Sequence, residues 1–422
     1  MKGIDNSMNK YIKNNLLNIY IIINIIYVFI SSILFTYKII SYSMFGHTMI
    51  YAFFINLIIS IILTIKRNKK YKFQIYDLLL ILISIFLIIS CIFAKNKDLA
   101  LYGFIYRYEG LFAILYYLTL TYLSSFVSKD FKKIIAKVIV FTGIINTIYA
   151  FLQVNNSPLV LKIYNFNDIW ATGFLNNPNF LGTYSLISLA LSIGLFIDEK
   201  EKIDKIIYGI SIAILMIGLL ISNTTSCAVG LLVIFIYIFV YSLEKKKYKE
   251  ILLIILIIIS ESIMFHKAGL TTLLKDLNTT KNEVSELSRG NYNENYGTKR
   301  VEIWRQTIEE VPKYLIHGIG IDNFSLIKNG RPVMVGYNAY DKAHNEYLQI
   351  LITEGIFALI SYLLLFGIIL IKGIISSFKK NEIYLVLPVF AYLVQAFFNI
   401  SVIEVAPIFY ICLGLLIERK KY

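Results

Sequence analysis

The chain has 422 residues, 57% of them hydrophobic and only 16% charged, with a mean hydropathy of +0.68 and a formal net charge of +14. Soluble domains carry about 25% charged residues, so this balance excludes a soluble globular protein. The apolar residues come in unbroken runs near the ~20 residues a membrane-crossing helix needs, which also excludes a barrel of alternating strands about half that length.

In chain order, the runs predict an all-α, polytopic membrane helix bundle of about twelve spans. They fall at 16–37, 48–65, 75–94, 111–127, 134–154, 180–197, 206–222, 227–243, 251–265, 346–371, 383–400 and 404–417. No small-residue cleavage site follows the first run, so it is expected to act as a signal anchor. Cys91, Cys227 and Cys412 all sit inside apolar runs, far apart and without paired spacing. Neither a disulfide nor a metal site is expected from them.

Lysine and arginine divide unevenly between alternate connections. The N-terminus, C-terminus and five connections on their side hold 25; the short connections on the other side hold 5, and the long polar segment 266–345 holds 11. Short basic loops stay in the cytoplasm, whereas long ones cross regardless of charge. Both termini are therefore expected to be cytoplasmic, with 95–110, 155–179 and one large loop, 266–345, outside. Three regions result: an N-terminal bundle (1–265), the extracytoplasmic loop (266–345) and C-terminal spans (346–422). The basic excess reads as topology plus attraction to membrane lipid, not as a nucleic-acid surface. The spans are nearly free of ionisable groups, with Glu261, Glu354 and Glu404 near ends. A transporter or flippase usually needs such groups at mid-membrane depth, so that class is the alternative reading.

Polar chemistry concentrates in the outward loops. Residues 271–297 are polar and Asn-rich, flexible or weakly helical. In 298–316, Val301, Trp304, Ile308 and Val311 recur at helical spacing, with Thr298 as expected N-cap and Pro312 as expected stop. Arg305 has Glu302 and Glu309 at i−3 and i+4 and can pair within that helix. Arg300 has no such partner and is the better anion ligand. The glycines of His317-Gly318-Ile319-Gly320 predict a turn passing close to the bundle. Then "AHNEYLQILITEGIFAL" (343–359) opens the tenth span. A histidine suits proton transfer near neutral pH. At a helix N-terminus the dipole disfavours imidazolium, so His344 is the candidate base. Asn345 and Gln349, four apart, are expected on one face.

Taken together, Arg300-x3-Trp304, Pro312, Gly318-x-Gly320-x3-Phe324 and the His344-Asn345 motif resemble the O-antigen ligase and O-antigen polymerase superfamily, over about 298–365. "YRYEGL" (106–111), "TGFLNNPNFLG" (172–182) and "TTSCAVG" (224–230) are weaker echoes. Two positions depart from the pattern: Trp170-Ala171 and Cys227 stand where the family often has arginine. The resemblance implies transfer of a glycan from an undecaprenyl-pyrophosphate carrier to an acceptor glycan, lipid or wall polymer, in a bacterial plasma membrane with the site facing outward. It implies His344 as catalytic base and Arg300, Arg107, Asn345, Trp304, Gln349 and Arg305 as substrate-binding candidates. Tyr106, Tyr108, Trp170, Trp304 and Tyr347 are candidates to stack on sugar rings or anchor at the interface. No cofactor or metal is expected, because no acidic pair of metal-binding spacing occupies an outward loop. Polymerase is favoured over ligase.

Overall fold

The computed structural model describes residues 2–67, 72–157, 159–160 and 171–420. Ten helices precede the long polar segment: α1 (Lys2–Thr36), α2 (Tyr42–Arg67), α3 (Ile75–Ile92), the short α4 (Lys97–Tyr102), α5 (Leu111–Ser124), α6 (Lys129–Val154), α7 (Pro178–Asp198), α8 (Lys202–Ile221), α9 (Thr225–Lys245) and α10 (Tyr248–Lys267). The segment holds α11 (Leu273–Ser288), α12 (Arg300–Tyr314) and a hairpin of β1 (Val333–Val335) and β2 (Asn338–Tyr340). Four helices follow: α13 (Glu346–Glu354), α14 (Ile356–Lys380), α15 (Ile383–Gln395) and α16 (Ala406–Leu416). Among the described residues eight helices are long and apolar enough to cross a membrane, and three shorter apolar helices lie at α5, α15 and α16. The remaining expected span, α10, is 20 residues long but carries Glu250 and Glu261.

Helix α7 is the axis of the bundle. It is buried along its whole length and packs against α6, α8, α9 and α15. A helix that is apolar all round belongs in such a centre. Its start is built by the Asn-Pro-Asn stretch: the Asn177 side chain caps by accepting from the Asn179 N–H at 2.8 Å, and Pro178 takes the first turn, where its missing N–H costs nothing.

Three local expectations are corrected. The tenth span is not one helix over 346–371. It breaks at Gly355 (φ +93°), where a Cβ would lie 2.4 Å from the Ile316 carbonyl oxygen. The chain after α12 passes there, and the Ile356 N–H donates to the Leu315 carbonyl at 2.8 Å. Second, α12 is not capped by Thr298; Lys299 precedes it with φ +70° and no side-chain cap, and Pro312 lies inside its last turn. Third, its packed face runs through Ile303, Thr307 and Glu310, while Ile308 is exposed.

The polar segment carries its own small core. Ile303, Ile319, Phe324, Ile327, Val333, Val335, Ala343 and Ile352 cluster apart from the bundle interior, with Trp304 and Tyr340 at the edge. This core seats α12 and the hairpin on α13. The glycine turn makes the expected close approach. Gly318 (φ +74°) lies where a Cβ would meet the Thr353 carbonyl oxygen at 2.1 Å, and the Gly320 N–H donates to that oxygen at 3.1 Å. The Lys95 N–H, just past α3, donates to Ile319 O at 3.1 Å.

Candidate active site

Residues 341–344 form a short strap between the hairpin and α13, and each is held from a different direction. Asp341 takes a bidentate pair from Arg107, at 2.7 Å and 3.1 Å. Lys342 is buried between Glu109 (3.1 Å) and Asp322 (2.7 Å), the three side chains being 5%, 4% and 0% exposed. The Ala343 carbonyl accepts from the Trp304 indole N–H at 3.0 Å, and its N–H donates to Gln349 Oε1 at 2.8 Å. His344 follows with φ +52°, a left-handed conformation that costs a side-chain-bearing residue about 1–3 kcal/mol and persists only when its surroundings enforce it. The strap supplies that enforcement.

His344 is not in the first helical turn, as its position in the sequence suggested. It stands one residue before the cap, Asn345, whose Oδ1 accepts from the Leu348 N–H at 3.0 Å. Its ring meets Tyr340 edge-to-face at 5.9 Å. Burial, then the positive charge of Arg300 and Arg107, pushes His344 down to about 4, with Asp341 opposing weakly. The ring is therefore neutral at physiological pH.

The structure thus brings Arg300 and Arg107 within electrostatic reach of His344. They differ in how each charge is balanced. Arg300 pairs with no carboxylate among the described residues. Its Nη1 donates to Gly297 O at 3.2 Å and to the Thr298 hydroxyl, and its Nε is buried without a partner. Burial depresses its pKa, the mark of a cation lacking a counter-charge. Arg107 is balanced by Asp341. Burial works against its charge too, but that carboxylate holds its pKa above the ordinary value. Arg305 is engaged as its spacing suggested, with Glu302 at 2.6 Å and Glu309 at 2.5 Å.

The aromatic and amide candidates are mostly occupied. Trp304 spends its indole N–H on Ala343, and Gln349 its Oε1, while Gln349 Nε2 is buried without a partner beside the small cavity. The Tyr347 hydroxyl donates to Leu393 O at 2.6 Å, and Tyr108 is buried. Tyr106 is 70% exposed and free to meet a ligand. Trp170 lies outside the described residues. Cys227, standing where an arginine was looked for, is fully buried.

Sequence reasoning missed Glu109, Asp322, Asp341 and Lys342. It also missed that Glu346 and Glu354 join Glu109, Asp322 and Lys342 around one small cavity of about 40 Å³. The spans look poor in ionisable groups because these residues sit at helix ends and in loops. Folding gathers them into one buried cluster beside the strap. No local pattern announces a pair 233 residues apart.

Residues 210–363, a little over a third of the chain, match the family model described as O-antigen ligase. That stretch includes α12, the strap and His344. No curated protein matches the chain. The long apolar helices make the chain a multi-pass membrane protein, and over residues 210–363 it is similar to the O-antigen ligase family.

Proposed function

We propose that the protein transfers an oligosaccharide from an undecaprenyl-pyrophosphate carrier to an acceptor hydroxyl, with His344 as general base and Arg300 holding the pyrophosphate. The observation that carries this reading is an arginine without a carboxylate partner beside a neutral histidine. A guanidinium offers fork-shaped donors that match phosphate oxygens. His344 takes the proton of the acceptor sugar hydroxyl as its oxygen attacks the anomeric carbon. The bond from that carbon to the pyrophosphate breaks, inverting the centre, and the carrier leaves with the electron pair. Arg300, with Arg107 behind it, stabilises the charge that grows on the leaving group.

The low resting pKa of His344 fits a base switched on by its substrate. With the site empty, Arg300 makes protonation costly. A pyrophosphate on Arg300 cancels that charge and adds negative potential, so the ring becomes more basic only when the donor is in place. Trp304 and Gln349 act through Ala343 as positioning residues, and Asn345 by capping α13. Arg305, already paired, has a lesser share. In this reading the site faces outward and both termini lie in the cytoplasm, which the lysine and arginine distribution supports. Polymerase is favoured over ligase.

The test is the profile of lipid-linked glycans in cells carrying His344→Ala at wild-type expression. Single repeats accumulating on the carrier mark a polymerase. Long chains retained on the carrier mark a ligase and overturn the polymerase preference. An unchanged profile with normal surface polysaccharide overturns the role of His344.

A further inference from the structure

A second site lies at the other end of the bundle. A cleft of about 490 Å³ runs between α2, α3 and α5, with its walls mostly apolar, among them Leu57, Ile81, Ile88 and Leu115. Along α3 it extends from Asp77 to Ile88. Eleven residues at 1.5 Å each give about 16 Å, close to half of a ~30 Å hydrocarbon core. The cleft has the length of one acyl chain in one leaflet.

Its polar end is built around Arg419. That side chain is 4% exposed and its Nη1 lies 2.5 Å from Asp77 Oδ1. Its Nε donates to the Ser125 hydroxyl at 2.8 Å, and the guanidinium stacks on Phe126 at 4.5 Å. Yet Nη2 is buried with no partner, as is the Ser60 hydroxyl, and both residues line the cleft with Lys72. An arginine N–H can only donate. A rigid, buried donor beside an apolar slot therefore lacks an acceptor. At the headgroup level of a membrane the fitting acceptor is a phosphate oxygen.

The donor substrate does not supply that phosphate. Helix α3 spans 18 residues, about 27 Å. Its C-terminal end touches the active-site region, where the Ser90 hydroxyl donates to Thr353 O at 2.6 Å. Asp77 and Arg419 are at its N-terminal end. A pyrophosphate near Arg300 and a phosphate near Arg419 are on opposite sides of the membrane.

We propose that this cleft binds one anionic glycerophospholipid of the leaflet on the Arg419 side, with one acyl chain between α2, α3 and α5 and the headgroup phosphate on Arg419 and Lys72. The lipid joins the C-terminal segment to α3 and α5. This proposal is independent of the transfer reaction.

The test is native mass spectrometry of the full chain in mild detergent, offered phosphatidylglycerol or phosphatidylcholine. The wild type retains one phosphatidylglycerol per chain, at least fivefold over phosphatidylcholine. Ser84→Trp, which fills the cleft floor, loses that retention at least fivefold while eluting as the same single species. Lys72→Gln, an exposed position, lowers the preference for the anionic lipid. Equal retention of the two lipids overturns the proposal, as does unchanged retention in Ser84→Trp. Undecaprenyl phosphate held in place of phosphatidylglycerol, or a lipid-free dimer, also overturns it.

Discussion

Replacing Lys342 by Met removes the one cation between Glu109 and Asp322, whose side chains are 4% and 0% exposed. Water cannot stand in for the lost ammonium. Breaking a buried ion pair from one side costs about 3–5 kcal/mol. No discount for solvent screening applies at 5% exposure. At roughly 2 °C per kcal/mol, the lower end for larger domains, the melting temperature falls on the order of 6–10 °C. The triple variant Glu109→Gln, Asp322→Asn, Lys342→Met removes all three charges at nearly constant shape. Neutral, well-packed replacement of a buried ionic group is often close to neutral for stability, so the triple recovers most of the loss. The assay is a thermal melt in detergent followed by size-exclusion chromatography, with the lipid-linked glycan profile as second readout. A Lys342→Met protein that melts with the wild type refutes the reasoning. So does a triple variant no more stable than the single one, because charge balance would then not be the cause.

Four further outcomes follow from the site and the fold around it. His344 is neutral and basic above its depressed pKa of about 4, so kcat/KM, which reports the donor-free enzyme, rises as pH increases through the region of 4 and is flat through neutrality; a kcat/KM limb centred near the ordinary histidine value of about 6.5 contradicts the burial argument. Arg300→Gln removes a charge that opposes protonation, so the limb moves to higher pH, and the rate falls about 10- to 100-fold, as expected for losing a charged hydrogen bond of about 1.5–3 kcal/mol; initial rates of carrier release against pH measure both. Trp304→Phe keeps the ring against Phe397 (5.5 Å) and loses only the bond to Ala343, so turnover drops about 2- to 10-fold with little change in melting temperature. Gly355→Ala places a Cβ at φ +93° against Ile316 O and destabilises the junction of α13 and α14 by about 1–3 kcal/mol, read in the same melt.

The membrane bundle was legible in the sequence because the signal is local: a run of apolar residues declares its own helix. Gly318 and Gly320 announced a close approach for the same reason, since each needs a backbone conformation that side chains resist. Arg300 stood out because its own helix offered it no acid at i+3 or i+4, and the described residues supply no carboxylate partner. The break at Gly355 stayed hidden because the apolar run continues through it, and only the passing chain at Leu315 and Ile316 forces the turn. The contacts of Trp304 and Gln349 with Ala343 were not foreseen because spacing shows which face a side chain shares, not which backbone group it meets. The Lys342 cluster was invisible because its members come from the loop before α5, the glycine turn and the strap.

The strap has a consequence for how the protein is made. Arg107 and Glu109 enter the membrane early, and their counter-charges, Asp341 and Lys342, lie 234 and 233 residues later. At about 5–20 residues per second of synthesis, the ribosome delivers them on the order of 10–50 s afterwards. For that interval Glu109 waits without its ammonium, and no nascent chain has a fixed His344. Asp341 and Lys342 neutralise the early half of the chain only once the strap has been made.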